Sequence, residues 1–350
     1  MEESGLVEGR AKLLVYAAVG IAVVGLLFGV LLRDIDPLAV TVIGLQVGAV
    51  YSLVGLGLAL VYKATKVLNF AQGELGTVPA FIFFLTLTGW DRFGDASDPT
   101  TGALILGTVL AILSGAVMAV LINVLIIQRL ADASPVTALV ATAGTAFALV
   151  ASELIIFEAS ARKFPRYVGG VPCFESNAEG ACINAFSLGG INVPWHTFIV
   201  IGVLAATAIA LAIFFRTPPG IALLATAQDP FAAELQGVSV RAMSMLAWGT
   251  AGALGAIGGL LGAGVFESLE PGQTTSTFLI PAFTGAVLGG LNSMPGAVVG
   301  GLLLGVVVAF ANQIVLEFGW GIPGPPQVAT FAVLLLVLMF RPRGLLGKEA

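Results

Sequence analysis

Long apolar runs without any charge are the feature that most constrains what this chain can fold into. Among the runs that contain no Asp, Glu, Lys or Arg are Leu13–Leu32, Leu38–Tyr62, Gly102–Ile127 and Thr197–Phe215. A helix needs about 20 predominantly apolar residues to cross the hydrocarbon core of a bilayer. Only 10% of the chain is charged, against about 25% in an average soluble domain, so a soluble fold could not cover the apolar surface. We therefore predict an all-α polytopic membrane protein.

Further apolar segments raise the predicted number of transmembrane helices to about ten. Six more candidates follow from length and hydrophobicity: Asn69–Trp90, Pro135–Phe157, Met245–Val265, Phe278–Leu291, Pro295–Phe318 and Val328–Phe340. Phe278–Leu291 and Val328–Phe340 are short, and eight crossings result if both are re-entrant. Asn69–Trp90 begins with polar residues, so we expect its helix to start near Thr77.

The basic residues orient these helices, because Lys and Arg accumulate in short cytoplasmic loops. A cytoplasmic N-terminus and ten crossings place most of them inside: Arg10, Lys12, Lys63, Lys66, Arg129, Arg216, Arg241, Arg341, Arg343 and Lys348. We therefore expect a multi-pass protein in the lipid bilayer of the plasma or inner membrane, with both termini cytoplasmic. The net charge of −5 disfavours nucleic acid as a partner.

The predicted extracytoplasmic loop over residues 158–196 contains both cysteines of the chain, Cys173 and Cys182. On an oxidising face the two could form a disulfide, and the alternative is a pair of free thiols. We predict no metal site, because the single histidine, His196, stands alone at the start of a helix.

Residues 38–157 and 245–340 share an outline that suggests an internal repeat. Each block opens with a glycine-rich helix, continues with a polar break, and then has a short helix carrying Pro-Ala-Phe, at residues 79–81 and 281–283. In the ten-helix topology the two blocks run in opposite directions. Inverted repeats with interrupted helices are typical of transporters, and the breaks point to the substrate path. We predict two inverted repeats within one transmembrane domain over residues 1–350.

The polar break before residue 74 is the first candidate for such a path, since polar backbone at membrane depth has to face protein or water. We take the candidate pathway residues to be Asn69, Phe70, Gln72, Glu74, Thr142 and Thr145. Two alternatives stay open: Glu74 could instead cap the next helix near the inner interface, and the threonines could serve helix packing. Glu153, near the outer end of its helix, either relays protons or reaches water.

The predicted inner loop over residues 216–244 is long enough to hold structure of its own. Its pattern predicts two short amphipathic helices, Ala222–Ala227 and Pro230–Leu235, the second preceded by a helix-capping Asp229. Such a pair suits docking to a cytoplasmic partner, and the alternative is an ordinary connecting loop.

Four sequence blocks, together with the ending RPRGLLG, resemble the permease subunits of branched-chain amino acid ABC transporters. They are LNFAQGELG at 68–76, similar to the family's NFAHGE motif, ASPVTALVATAG at 133–144, TAQDPFAAELQGV at 226–238 and LGGLNSMPGAVVGGLLLG at 288–305. The resemblance runs from about residue 40 to the C-terminus. Gln72 stands where the family usually has histidine, so this position is polar but does not titrate.

The resemblance implies a transport subunit and not an enzyme. Such a permease pairs with a second permease subunit, recruits two cytoplasmic ATPase subunits and receives substrate from an extracytoplasmic binding protein. ATPase docking would fall on five residues of the inner loop: Gln228, Asp229, Pro230, Glu234 and Gly237. The chain lacks the G-x-x-x-x-G-K-[ST] pattern, so we expect no cofactor of its own and ATP use by the partner subunits.

Branched-chain or related small amino acids are the substrates that this resemblance favours, although the same family outline also serves urea and short amides. A secondary transporter driven by protons or sodium is the alternative from another class, and a passive channel is a third. Ion-coupled transporters usually place ionisable groups near the midplane. Here Glu74 and Glu153 fall near the ends of predicted helices and not near the midplane, which favours the ABC importer.

Overall fold

The computed structural model describes residues 36–92, 94, 100–130, 133–164, 185–188, 191–341 and 344–346. This part of the chain is predominantly α-helical. The predicted helix Leu13–Leu32 and the cysteines Cys173 and Cys182 lie outside the described residues, so the first helix and the disulfide stay predictions.

The described helices alternate between long apolar spans and shorter pieces. In chain order they are α1 Pro37–Thr65, α2 Glu74–Leu87, α3 Thr101–Leu125, α4 Pro135–Phe157, α5 Trp195–Phe214, α6 Pro218–Gln228, α7 Pro230–Leu235, α8 Val240–Phe266, α9 Ile280–Gly289, α10 Met294–Glu317 and α11 Pro325–Phe340. Short 3-10 turns cover Phe70–Gln72 and Ile127–Leu130, and a π-helical segment, Thr274–Leu279, leads into α9.

Seven segments within the described ranges are long and apolar enough to cross a membrane. Six contain α1, α3, α4, α5, α8 and α10, and the seventh joins the first 3-10 turn to α2. Two shorter apolar helices, Thr274–Gly289 and α11, complete the set. The chain is therefore a multi-pass membrane protein, and the total of about ten crossings stays a prediction.

Strands are short and lie between the helices. β1 (Arg162–Lys163) pairs antiparallel with β4 (Ser268–Leu269), which joins the end of α4 to the end of α8. β2 (Ala185–Leu188) and β3 (Ile191–Pro194) form an antiparallel hairpin directly before α5.

Most long helices begin where the sequence supplies a capping side chain. The carboxylate of Asp36 accepts a hydrogen bond from the backbone N–H of Leu38 at 3.0 Å, and Pro37 occupies the first helical position of α1. Thr100, Ser134, Ser239 and Ser293 cap α3, α4, α8 and α10 in the same way. Because the first turn of a helix has N–H groups without intrahelical partners, these residues fix where each helix starts.

Glycines allow the central helices to pack backbone against backbone. A Cβ atom on Gly48 would lie 2.9 Å from the carbonyl oxygen of Gly301 in α10, and one on Gly115 would lie 2.7 Å from that of Gly252 in α8. Lipid is as apolar as a leucine side chain, so helices in a membrane associate through such close packing and not through the hydrophobic effect. Many of the 45 glycines thus serve close helix contacts along α1, α8 and α10.

The interior of the bundle consists of α1 and α8, with α10 packed on α1 and α3 packed on α8. The short helices follow the same rule, because α2 contacts α8 and α9 contacts α1. Large apolar side chains of α3, α4 and α11 point outward, among them Leu113, Phe147 and Leu335. These faces suit contact with lipid chains or with another membrane subunit.

Four helices begin three or more residues earlier than the sequence pattern indicated, among them α11, which starts at Pro325 and not at Val328. α2 starts at Glu74 and not near Thr77, because its polar first residues are buried against other helices. α8 starts at Val240, directly after its capping residue Ser239, and not at Met245. α6 starts at Pro218 and not at Ala222. The predicted bounds of α7, Pro230–Leu235, are confirmed.

Candidate functional site

The polar break after α1 has a defined conformation held by its own side chains. We call residues 66–73 the first break. The Asn69 side-chain oxygen accepts a hydrogen bond from the N–H of Ala71 at 3.1 Å, and its amide donates to Oε1 of Gln72 at 3.3 Å. Asn69 and Gln72 are completely buried. The first break therefore satisfies much of its polarity locally.

Gln72 also ties the first break to α8. Its Nε2 atom donates a 2.8 Å hydrogen bond to the backbone carbonyl of Ala251. Gly57 and Gly255 make room for this side chain, since a Cβ atom on Gly255 would lie 3.0 Å from Nε2. An amide that connects two helices through a backbone carbonyl has a structural role here.

Thr142 links α4 to the first break, whereas Thr145 does not. The Thr142 hydroxyl lies 3.2 Å from the carbonyl oxygen of Leu68 and accepts a hydrogen bond of 3.2 Å from the N–H of Phe70. The Thr145 hydroxyl donates to Ala141 within its own helix at 2.8 Å. The Phe70 ring packs on the apolar cluster that includes Leu279. Of the two explanations for Thr142, helix packing thus agrees with the observed contacts.

Glu74 is the first residue of α2 and is fully buried. Neither carboxyl oxygen has a hydrogen-bond partner of acceptable geometry in the described structure, and the side chain caps no backbone N–H. The hydroxyl groups of Thr77 and Thr275 and the carboxyl group of Glu153 are its polar neighbours. The suggestion that Glu74 serves as a helix cap is therefore not supported by these contacts.

Glu153 approaches Glu74 from α4 and is only 3% exposed. Its Oε2 atom accepts a 2.7 Å hydrogen bond from the N–H of Gly272, and its Oε1 atom has no partner among the described residues. Glu153 therefore contacts the protein interior and does not reach water. We call Glu74, Glu153, Thr77, Gly272 and Thr275 the carboxyl cluster.

A second break, residues 270–279, meets the first at this cluster. Its backbone depends on side chains from the other half of the chain, because Thr274 N–H donates to the Thr77 hydroxyl at 3.1 Å and Gly272 N–H donates to Glu153. Its own Gln273 accepts from the N–H of Glu270 at 3.3 Å. The side chain of Thr275 leaves a buried hydroxyl without a partner in the part of the chain that the structure describes.

Small residues line the boundary between the two breaks. A Cβ atom on Gly73 would lie 2.6 Å from Cα of Thr275, and one on Gly76 would lie 2.9 Å from Cγ2 of Thr274. On the other side of α2, a Cβ atom on Gly259 would lie 2.5 Å from Cα of Gly76. No larger residue fits these positions without displacing its neighbours.

A cavity of about 290 Å³ opens beside the second break. Its apolar wall includes Val47, Ile280 and Val308. Its polar wall has side chains from four elements and is formed by Tyr51, Ser276, Thr277, Asn312 and Gln327. The six candidate pathway residues predicted from sequence are absent from this lining, but Asn69 and Phe70 line a smaller cavity of about 30 Å³ at the first break.

The inner loop forms the compact pair α6 and α7, which contacts α8 and α1. Asp229 lies between the two helices, and its carboxylate caps α7 through a 3.0 Å hydrogen bond from the N–H of Ala232. Pro230 begins α7, Glu234 is exposed, and Gly237 adopts a positive φ of 82° in the turn that ends α7. Gln228 is the last residue of α6.

The α6–α7 pair presents apolar side chains that the sequence analysis did not single out. Phe231 and Leu235 are each 71% exposed, and Ile221 of α6 is 55% exposed. The opposite sides of the pair are anchored by the buried residues Leu223 and Ala233. Their spacing in an amphipathic pattern was the available signal, because Phe231 and Leu235 are four residues apart on one helix face.

The sequence located the first break but not its partners. Asn69, Gln72 and Thr142 come together at the first break, Glu74 meets Glu153, Thr77 and Thr275 instead, and Thr145 stays apart. Thr77, Gly272 and Thr275 were missed. The second polar stretch of the repeat was the signal that could have pointed to Gly272 and Thr275, because it precedes its short helix as the first stretch does.

Comparison with known proteins gives a consistent family. The family described as "Branched-chain amino acid transport system / permease component" matches residues 40–341. The high-affinity branched-chain amino acid transport system permease protein BraD of Pseudomonas aeruginosa is 28% identical over 308 residues, which cover 87% of this chain and 94% of BraD. The permease protein LivH of Escherichia coli K12, from a transport system of the same description, is 28% identical over 309 residues, with coverage of 87% and 94%.

One solved structure is also similar, PsaBC from Streptococcus pneumoniae in complex with Fab. It is 16% identical, with a TM-score of 0.45, and the similarity covers 89% of this chain and 94% of that chain. The family match, by contrast, covers most of the chain and both breaks. The chain belongs to the permease component family of branched-chain amino acid transport systems.

Proposed function

We propose that this chain is the transmembrane permease subunit of an ABC importer for branched-chain or related small amino acids. The observation that carries the proposal is the family match over residues 40–341, together with relatives described as permeases of high-affinity branched-chain amino acid transport. The partners in this proposal are a second permease subunit, two cytoplasmic ATPase subunits and an extracytoplasmic substrate-binding protein. ATP is then hydrolysed by the ATPases, and this chain is not an enzyme.

The proposed topology has ten crossings in the plasma or inner membrane, with both termini cytoplasmic. Nine apolar segments lie within the described ranges, seven of them long and two shorter. The predicted helix Leu13–Leu32 would be the tenth. In this topology residues 158–196, with their two cysteines, are extracytoplasmic, and residues 216–244 are cytoplasmic.

The two proposed inverted repeats, residues 38–157 and 245–340, are supported by how the helices pack. α1 packs on α10 as α8 packs on α3, and α2 packs on α8 as α9 packs on α1. Exchanging the two blocks thus reproduces the same set of neighbours. Each block also places Pro-Ala-Phe in the short helix that follows its break. Two equivalent halves that move against each other would open the path to alternate sides.

The proposed substrate path runs past the two breaks. The carboxyl cluster lies where the breaks meet, and the cavity beside the second break supplies an apolar wall with scattered hydroxyl and amide groups. Such a wall suits an aliphatic amino acid, because it contacts the side chain and leaves polar groups for the two ends. In this proposal Asn69, Gln72 and Thr142 hold the first break in shape, and Glu74 faces the path.

The α6–α7 pair is the proposed docking surface for an ATPase subunit. Gln228, Asp229, Pro230, Glu234 and Gly237 shape or border it, and Phe231 and Leu235 provide exposed apolar anchors. Aromatic anchors at the centre of an interface often contribute most of the binding free energy. Because the pair packs on α8 and α1, a movement of the pair caused by a bound ATPase would be transmitted directly to these two central helices.

Substitution of Phe231, the exposed aromatic residue of the proposed docking surface, tests this function. Phe231→Ser should abolish co-purification of the ATPases and ATP-dependent leucine uptake, while Trp320→Ser, at a 59% exposed residue between α10 and α11, retains both. Membrane insertion should be unchanged in both variants, since Phe231 is 71% exposed and supports no core packing. Uptake at the wild-type rate in Phe231→Ser would exclude the docking role. Uptake that persists without ATPases and follows an ion gradient would favour the secondary transporter.

A further inference from the structure

Three buried carboxyl oxygens without hydrogen-bond partners meet between the two breaks. They are Oε1 and Oε2 of Glu74 and Oε1 of Glu153, and the buried hydroxyl of Thr275 beside them also has no partner in the described structure. Only the fourth oxygen, Oε2 of Glu153, is engaged, by the N–H of Gly272. The unpartnered atoms come from three separate elements, α2, α4 and the second break.

Such an arrangement is costly unless it binds something. A buried polar group without a hydrogen bond costs about 1–3 kcal/mol, and a buried charge costs more. Within the described ranges no lysine, arginine or histidine is paired with either carboxyl group. Ionisable side chains inside a membrane protein usually mark the path of an ion or substrate. The cluster therefore has the acceptors of a cation site but no protein cation in it.

We propose that the carboxyl cluster binds the primary ammonium group of the transported amino acid, an inference that rests on the proposed function. An ammonium group has three N–H donors and a positive charge, and the cluster offers three unpartnered acceptor oxygens. The Thr275 hydroxyl neighbours the Glu74 carboxyl group and borders the same site. Urea and neutral amides carry no ammonium group, so the cluster selects amino acids over them.

The site is closed in this structure, since Glu74 is completely buried. The boundary that closes it consists of Gly73, Gly76, Thr274 and Thr275, which pack in close contact across it. Substrate enters when the second break separates from α2 and α4, and this separation breaks the hydrogen bonds of Thr274 to Thr77 in α2 and of Gly272 to Glu153 in α4. The cavity beside the second break leads to the same segment.

A purely structural carboxyl pair is the competing explanation, in which one shared proton joins Glu74 to Glu153. Glutamine distinguishes the two, because its amide has the size of a protonated carboxyl group and can donate the same hydrogen bond. Glu74→Gln or Glu153→Gln would keep a structural pair intact. The same changes remove a negative charge that an ammonium group requires.

The first test measures leucine uptake into proteoliposomes that contain the whole transporter. Glu74→Gln and Glu153→Gln should each lower uptake by about tenfold or more, as expected for the loss of a hydrogen bond to a charged group. Glu158→Gln, which changes an exposed glutamate directly after α4, is the matched control and should retain wild-type uptake. Wild-type uptake in both cluster variants would overturn the proposal.

The second test measures the melting temperature of the purified complex with small probes. Isoamylamine, which has the aliphatic chain and the ammonium group, should raise it in the wild type and in Glu158→Gln but not in the cluster variants. 4-Methylpentanoate, which lacks the ammonium group, and sodium chloride of equal ionic strength should leave it unchanged. An equal shift with sodium chloride would indicate a metal-cation site, and no shift with isoamylamine would overturn ammonium binding. If the wild-type complex imports no leucine, the proposed function fails. The change in melting temperature with isoamylamine then still shows whether the carboxyl cluster binds an ammonium group.

Discussion

The two breaks perform the same task in the fold by different means. The first holds much of its shape with its own residues, because Asn69 caps Ala71 and binds Gln72. Its one backbone donor to a distant side chain in the described structure is the N–H of Phe70, which donates to Thr142. The second relies on the opposite half of the chain, because Thr77 and Glu153 accept the N–H groups of Thr274 and Gly272. A segment whose hydrogen bonds are internal can move as a unit. A segment whose backbone donates to side chains of the other half of the chain loses those hydrogen bonds when the halves separate. We infer that the second break is the element that rearranges during transport.

Adding a methyl group where α8 contacts α2 should give the largest effect on stability. Gly259→Ala places a Cβ atom 2.5 Å from Cα of Gly76, so α8 and α2 must move apart. We expect a loss of about 3 kcal/mol of stability and little folded protein, since overpacking of a close contact displaces backbone. The yield and melting temperature in detergent measure this. Gly144→Ala, where nothing lies within 4 Å of the added atom, is the control and should melt like the wild type.

Removing the Thr77 hydroxyl, which accepts a hydrogen bond from the second break, should have an intermediate effect. Thr77→Val leaves the buried N–H of Thr274 without an acceptor, at a cost of about 1–3 kcal/mol. Hydrogen exchange should accelerate in the second break and stay unchanged in the first. Thr86→Val removes only a hydroxyl that donates to Ile82 within its own helix, so its exchange should match the wild type. Equal exchange in both variants would show that the second break does not depend on Thr77.

The smallest effect is expected where α4 meets the first break. Thr142→Val removes the contacts to Leu68 and Phe70. We expect the free energy of unfolding to fall by about 0.6 kcal/mol, the average for such interhelical hydrogen bonds, and the melting temperature measures this loss. Thr145→Val, whose hydroxyl serves only its own helix, should be neutral. Transport should persist in both, since the rest of the first break supports itself. Abolished uptake in a stable Thr142→Val variant would instead give Thr142 a direct role in the path.

The sequence predicted the apolar helices because each crossing carries its own signal of length and hydrophobicity. The first break was equally visible, since polar residues such as Asn69 and Gln72 interrupt an apolar stretch. The pairing of Glu74 with Glu153 was not, because nothing local to either residue specifies which distant segment it meets. The same holds for Gly259 and Gly76, whose contact follows from how α8 packs and not from a motif.

The inner loop shows a similar division. Asp229 and Pro230 predicted where α7 begins, since capping is a local property of the chain. The spacing of Phe231 and Leu235 placed them on one face of α7, but whether that face is exposed depends on which side of α7 packs against the bundle. Local signals thus predicted the elements, and tertiary contacts decided which residues are accessible to a substrate or partner.

Access to Thr275 during turnover tests the separation of the two breaks most directly. With Cys173 and Cys182 replaced by serine, Thr275→Cys supplies a single thiol at the boundary with Gly73, and a membrane-impermeant maleimide measures its exposure. We predict slow labelling of the resting transporter and faster labelling when ATP and the substrate-loaded binding protein are present. Labelling at the same slow rate with and without ATP, in a transporter that imports leucine, would contradict separation of the second break from the first.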